Sequence, residues 1–136
     1  MLRSALVILF LLGSTAILPA QKAPASNTAD LKNSSGRTLG KVTVTAAPHG
    51  VLLRIEAIDL KPGWHGMHFH EKADCSDSAF KNSGGHVHSK MPVVHGLLNA
   101  DANDAGDLPN LFVNPNGTAT VELYSTLVTL SGNVNL

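Results

Sequence analysis

Two histidines one residue apart, His68 and His70, constrain the possible structures of this chain more than any other feature. Side chains at positions i and i+2 of an extended strand lie on the same face, whereas they diverge on a helix. A β-strand therefore directs both imidazoles at one ion and turns Met67 and Phe69 the other way. We predict a metal-binding strand whose remaining ligands come from loops. Met67 and the nearby Trp64 are expected to serve packing.

Two further segments have the pattern of β-hairpins. Apolar and polar residues alternate over residues 38–46, which are rich in β-branched side chains. Residues 51–57 resume the pattern after the turn signal Pro-His-Gly. Residues 111–113 and 119–124 flank the turn signal Asn-Pro-Asn-Gly in the same way. The sequence predicts a hairpin at each place.

The stretch from residue 71 to residue 110 is a long segment dense in Gly, Asp, Asn and Ser. Unstructured segments of this length in compact domains are usually functional. Only 4% of the residues are aromatic, and no helix-length amphipathic run or internal repeat is present. Short strands and turns at this spacing predict an all-β sandwich or barrel.

The N-terminus has the pattern of a secretory signal peptide. One positive charge precedes an apolar run that continues to Leu18 and is too short to span a bilayer. We expect a signal peptide over residues 1–20, with cleavage after Ala20 or as late as Ala25; the alternative is an uncleaved membrane anchor. The expected mature protein is secreted or periplasmic, without stable membrane association. It has a flexible segment over residues 21–37 and one domain over residues 38–136.

Charge and cysteine content exclude some classes of partner. The formal net charge is zero and no cluster of Lys or Arg is present, so we expect no nucleic-acid partner. Cys75 is the single cysteine, whereas exported proteins normally have paired cysteines. Either Cys75 pairs outside this chain, or its partner is missing.

Metal-ligating side chains are concentrated in one part of the chain. Six of the seven histidines lie within residues 65–95, and Asp104 and Asp107 follow. Neutral imidazole suits copper and zinc, and imidazole with carboxylate suits zinc. The pattern is consistent with two adjacent sites, one rich in histidine and one of His and Asp. His86 lies between the two groups in sequence and can serve both.

These motifs resemble those of the copper/zinc superoxide dismutases, particularly the secreted bacterial type. The resemblance rests on residues 63–71, the Gly-Gly-His turn at 84–86, His95-Gly96 and residues 105–111, and it extends over residues 39–130. It implies an antiparallel Greek-key β-barrel or sandwich. It also implies disproportionation of superoxide to dioxygen and hydrogen peroxide, with copper and zinc as cofactors. A homodimer is compatible with this family.

The resemblance assigns a role to each candidate residue. His86 would bridge the two metals and carry a proton to the nascent peroxide. His65 would orient the site without binding metal, and Cys75 would be half of an intrasubunit disulfide. The implied copper ligands are His68, His70 and His86, and the implied zinc ligands are His86, His95, Asp104 and Asp107.

The chain departs from the family in two respects. Asp104 stands where the family usually has a third zinc histidine; it is expected to bind zinc, and the alternative is a solvated aspartate beside a weakened or empty site. The family's fourth copper histidine, its superoxide-attracting arginine, the second cysteine and the last strands have no counterpart before Leu136. We therefore expect a C-terminally truncated dismutase, with doubtful activity in the 136-residue chain alone.

Other interpretations remain open at this point. A catalytically weak or inactive periplasmic copper/zinc-binding protein on the same fold is favoured by the altered zinc site, although a simple metal store would not need His86 as a bridge. A structural or adhesive β-domain would require the ordered ligand set to be a coincidence. His88 is a further candidate ligand, but is expected to be a surface loop residue.

Overall fold

The structure, a computed structural model, describes residues 22–88 and 90–130 and is built almost entirely from β-strands. Within these ranges the elements are β1 Ser26–Lys32, β2 Thr38–Ala47, β3 Gly50–Ala57, β4 Gly63–His68, a 3₁₀ helix Lys81–Ser83, β5 Asp107–Val113 and β6 Ala119–Ser125. The all-β prediction is confirmed. None of the helical structure in these ranges is long and apolar enough to cross a membrane. The predicted signal peptide, residues 1–20, lies outside the described residues.

The larger sheet has the strand order β1-β2-β3-β6, and its strands are antiparallel. The first predicted hairpin is confirmed, because β2 pairs with β3 from Gly40↔Ala57 to Ala47↔Gly50. Strand β3 alternates as a half-buried strand should: Val51 and Leu53 are buried, and Leu52 between them is exposed. The buried residues of this alternation form the face of β3 that enters the core.

Strand β1 lies in the segment that was predicted to be flexible, residues 21–37. Its side chains are mostly exposed, so the apolar alternation that marks a strand is absent. The strand is held by its backbone ladder to β2 and by threonine and serine hydroxyls: Thr28 bonds Thr43 at 2.9 Å, and Ser26 bonds Thr45 at 3.2 Å. Cross-strand hydroxyl pairs stabilise an edge strand without burying apolar area.

The smaller sheet joins β4 and β5, and the second predicted hairpin is wrong. The turn itself exists, since the Gly117 amide donates to the Asn114 carbonyl. However, β5 pairs with β4, and β6 pairs with β3 in the other sheet. The chain therefore crosses from the smaller sheet to the larger one at this turn. Val113 before the turn and Ala119 after it are buried in the same core cluster.

The core lies between the two sheets and supports one end of β4. Val51 and Leu53 from the larger sheet pack with Leu108 of β5, and Met67 contacts this cluster and the neighbouring one. Met67 therefore serves packing, as predicted. Trp64, by contrast, is 72% exposed and contacts Phe112 on the outer face of the smaller sheet.

Candidate metal centre

The end of β4 and the start of β5 meet where the candidate ligands converge. His68, the last residue of β4, lies opposite Asp107, the first residue of β5. His70 continues past β4 and forms an isolated bridge with His86. Two strand ends and the loop between them thus deliver side chains to one place.

Four of these side chains form a compact group. Ligand atoms of His86, His95, Asp104 and Asp107 all lie within 4.8 Å of one another. They are the four residues that the family resemblance implies as zinc ligands. Two imidazoles and two carboxylates within this distance match the donor types and number of a tetrahedral zinc site. The group therefore fits zinc on its donor chemistry.

Asp104 is the buried centre of this group. Its side chain has no exposed surface, and its Oδ2 atom lies 2.7 Å from Nδ1 of His86 and 2.7 Å from Nδ1 of His95. Its Oδ1 atom accepts the Gly106 backbone N–H at 2.7 Å. Burial alone would raise the pKa of Asp104, but the hydrogen bonds from His86 and Gly106 and the nearby His charges outweigh burial and lower the pKa.

Asp107 lies between the two groups of imidazoles. Its Oδ2 atom accepts the Gly96 backbone N–H at 2.7 Å, which ties the loop of His95 to β5. Its Oδ1 atom lies 3.5 Å from His95 Nδ1, and 3.6 Å from Nε2 of His68. Asp107 thus contacts a candidate ligand of each predicted metal group.

The three predicted copper ligands are connected through the ring of His86. The His68 ring stacks on the His86 ring with centroids 4.0 Å apart, and the His70 ring meets the His86 ring edge-on at 5.3 Å. Burial, followed by the charge of His86, lowers the pKa of His68. A neutral imidazole keeps the lone pair that a metal needs, so this trio fits copper on its donor chemistry.

The backbone around His70 and His86 is held by hydrogen bonds that the sequence analysis did not predict. Nδ1 of His70 lies 3.0 Å from the Gly84 carbonyl and 3.1 Å from Ser83 Oγ, which leaves Nε2 as the nitrogen available to a metal. A carboxylate oxygen of Glu71 accepts the Gly85 N–H at 3.2 Å. Contacts of this kind leave no recognisable spacing of residues in the sequence. The position of Glu71, directly after the His-x-His pair, is the one available indication.

Three other candidates lie outside the group of four. Nε2 of His65 is 2.6 Å from the Lys61 carbonyl, so its ring is tied to the backbone before β4. Nδ1 of His88 is 2.7 Å from the His86 carbonyl, and its side chain is 22% exposed, more enclosed than expected for a surface residue. Cys75 is a free, exposed cysteine.

Comparison with known proteins gives consistent matches. The family model described as copper/zinc superoxide dismutase matches residues 38–136. A copper/zinc superoxide dismutase of Caulobacter vibrioides is 58% identical over 107 residues, covering 79% of this chain and 62% of the relative. Superoxide dismutase [Cu-Zn] 2 of Aquifex aeolicus is 34% identical over 103 residues, covering 75% of this chain and 60% of the relative. The chain thus spans about three fifths of these two proteins.

Solved structures agree with the sequence matches. A dismutase-like protein from Bacillus subtilis superposes with a TM-score of 0.70 at 30% identity, covering 78% of this chain and 72% of that one. The copper/zinc superoxide dismutase of Brucella abortus gives a TM-score of 0.65 at 26% identity, covering 79% and 77%. The two antiparallel sheets therefore have the fold of these proteins.

Proposed function

Because the chain belongs to the copper/zinc superoxide dismutase family, we propose that the protein disproportionates superoxide to dioxygen and hydrogen peroxide at copper joined to zinc through His86. The observation that carries the proposal is the position of His86. Its ring centroid lies 4.0 Å from that of His68 and 5.0 Å from that of His95, so one imidazole belongs to both groups of ligands.

The proposal divides the ligands between two metals. His68, His70 and His86 would hold copper, and His86, His95, Asp104 and Asp107 would hold zinc. Copper, when bound, supplies the one-electron redox chemistry of the reaction. The side chains position the metals and transfer a proton.

His86 is the proton carrier in this proposal. Its Nδ1 faces Asp104 at 2.7 Å, so Nε2 is the nitrogen that can accept a proton and return it to the nascent peroxide. His68 is 38% exposed at its side chain, which supports access of a small anion from solvent on this side. We propose that His65 steadies β4 through its contact with the Lys61 carbonyl.

The competing function is a metal-binding protein without turnover. The presence of Asp104 favours it, because a second carboxylate changes the charge and affinity of the zinc site. The bridging position of His86 favours the enzyme, because storage requires no shared ligand.

Superoxide consumption by the protein purified with both metals tests the proposal. We expect catalytic turnover in the native protein and its loss in His86→Gln, whereas His49→Gln, in the exposed turn between β2 and β3, should retain it. Stoichiometric metal binding without turnover in the native protein would instead support the storage function.

We propose that the mature protein acts outside the cytoplasm. The support is the N-terminal sequence, in which an apolar run follows one positive charge and ends before small residues at Ala20 and Ala25. N-terminal sequencing of the protein from the periplasmic fraction should begin at residue 21 or 26. Recovery with an intact Met1 from the cytoplasmic fraction would contradict the proposal.

We further propose that the outer face of the smaller sheet mediates a homodimer. Trp64 and Phe112 pair across β4 and β5, are 72% and 48% exposed, and meet edge to face with centroids 5.0 Å apart. Exposed paired aromatics of this kind are typical of interface centres.

A further inference from the structure

We propose that Asp104 by itself fixes the tautomer and orientation of His86, so that His86 is presented to copper even when no zinc is bound. The inference rests on the copper assignment of the proposed function and concerns a departure of this chain from its family. Where the family usually has a zinc histidine, this chain has a carboxylate that can replace one function of the metal, the positioning of the bridging imidazole.

The contact between Asp104 and His86 is a well-formed hydrogen bond. Oδ2 of Asp104 lies 2.7 Å from Nδ1 of His86, and the Asp104 side chain is fully buried. An ionised carboxylate can only accept, so Nδ1 of His86 has to carry the proton. Nε2 then keeps its lone pair for a metal. This is the carboxylate–histidine–metal arrangement in which an outer carboxylate orients a ligating imidazole.

Asp104 is itself held by the backbone. Its Oδ1 accepts the Gly106 N–H at 2.7 Å, and Asp104 forms an isolated β-bridge with His88. The Gly106 N–H also lies 2.8 Å from the Val87 carbonyl, next to His86 in sequence. No buried side-chain nitrogen or oxygen in the described ranges lacks a hydrogen-bond partner. The position of the carboxylate therefore follows from protein contacts alone.

A histidine at position 104 could not perform this task. An imidazole is donor at one nitrogen and acceptor at the other, so it does not impose one tautomer on His86. Asparagine has nearly the shape of aspartate but only one acceptor atom. Because Asp104 accepts from His86 with one oxygen and from Gly106 with the other, Asp104→Asn can keep only one of these two accepted hydrogen bonds.

The first test is made on the native protein without metal. Long-range ¹H–¹⁵N correlation spectra report the imidazole tautomer directly, and we expect His86 to carry its proton on Nδ1. A His86 with its proton on Nε2, or a mixture of tautomers, would overturn the inference. This measurement depends neither on activity nor on the folding of any variant.

The second test uses the protein loaded with copper alone. In the native protein we expect the copper electron paramagnetic resonance spectrum and the copper affinity to match those of the protein with both metals. Asp104→Asn should lower the affinity for copper in zinc-free protein about 10- to 100-fold, the usual effect of removing such a carboxylate. The control Asp101→Asn removes the same charge from an exposed position of the same loop and should leave the affinity unchanged.

Removal of zinc from the native protein gives the deciding comparison. If removing zinc from the native protein lowers its copper affinity as much as Asp104→Asn lowers that of the zinc-free protein, zinc holds His86 and the inference is wrong. If the native protein with both metals shows no turnover, the proposed function fails, but the tautomer and the copper affinities still decide the role of Asp104.

Discussion

The imidazole of His68 stacks on that of His86, with centroids 4.0 Å apart and ring planes inclined by 24°. One ring comes from the end of β4 and the other from the loop that follows the 3₁₀ helix, so the contact joins two distant parts of the chain. Both groups of ligands depend on the second ring. In the proposed assignment the first ring belongs to the copper group alone, so the two groups should be separable by mutation.

Replacing His68 should therefore remove copper and spare zinc. We expect His68→Ala to lower copper affinity by at least about 100-fold, the upper end of the effect of losing an outer partner of a ligand. Zinc affinity should stay near the native value, because His68 is not one of the four clustered residues. Competition titrations with chelators measure both affinities, and His49→Ala is the control. Equal losses of both metals would show that His68 supports the whole centre.

The lowered pKa of His68 predicts how the metal-free protein responds to acid. Burial and the neighbouring His86 favour the neutral ring in the folded state, so the folded pKa lies below the ordinary 6.5. The corresponding stability is complete above the ordinary pKa and is lost as the pH falls from there through the lowered folded pKa. The free energy of unfolding in chelator should thus fall between about pH 7.5 and about pH 5.5.

Two variants separate His68 from the other titrating groups. His68→Gln should show a smaller loss of unfolding free energy over this pH range than the native protein, whereas His49→Gln should show the same loss as the native protein. Urea unfolding at both pH values gives the comparison. An unchanged pH dependence in His68→Gln would mean that other groups cause the acid sensitivity.

The sequence was most informative where side-chain pattern and structure coincide. The strand pattern of residues 38–46 and 51–57 predicted the hairpin of β2 and β3, and the resemblance to the dismutases named four residues that meet within 4.8 Å. The second hairpin failed because a turn signal is local: it predicts that the chain reverses near Gly117, but not which sheet receives the next strand. The pairing of β6 with β3 rather than with β5 depends on contacts between residues far apart in the sequence, and so on the whole fold.

The missed features depend on backbone contacts. Strand β1 pairs through its backbone and hydroxyls, so it lacks the apolar alternation that identifies strands. Glu71 accepts the Gly85 N–H with its side-chain carboxylate. Gly106 connects Phe69 and Val87 through its backbone amide and carbonyl, which any residue at that position also has. Only the three-dimensional arrangement distinguishes them.

The exposed aromatic pair predicts the effect of surface mutations on assembly. If Trp64 and Phe112 form the centre of a dimer contact, Trp64→Ser should convert the protein to a monomer in sedimentation velocity experiments, because interface tryptophans often contribute most of the binding energy. Tyr124→Ser is the matched control, since Tyr124 is 49% exposed on the other sheet. A native protein that sediments as a monomer would refute the proposed homodimer.

Gly84 is a position where a side chain should destabilise the centre. Its φ of 76° and ψ of −159° lie in a region that only glycine adopts readily, and a Cβ there would lie 2.8 Å from a carboxylate oxygen of Glu71. We expect Gly84→Ala to lower the free energy of unfolding by about 1–3 kcal/mol. At the adjacent Gly85 a Cβ would lie 3.8 Å from the same oxygen, so Gly85→Ala should cost clearly less. Equal losses in urea unfolding would show that the backbone conformation of Gly84 carries no special cost.

Gly106 connects the segments that deliver the ligands. Its carbonyl accepts the Phe69 N–H at 2.8 Å, beside His70, and its N–H lies 2.8 Å from the Val87 carbonyl, beside His86. A Cβ at this position would lie 2.6 Å from the Phe69 carbonyl oxygen and 2.9 Å from the Val87 nitrogen. Because both neighbours are backbone atoms, one of the two segments has to move.

We therefore expect Gly106→Ala to affect stability and metal binding together. Overpacking of this kind should lower the free energy of unfolding by about 1–3 kcal/mol, and the displaced segments should weaken the binding of both metals. Gly66→Ala is the control, since a Cβ there would meet the His68 ring at an ordinary 3.6 Å. Urea unfolding of the metal-free protein and metal titration measure the two effects. If Gly106→Ala lost stability but kept both metal affinities, the contacts of Gly106 would support the fold without positioning the ligands.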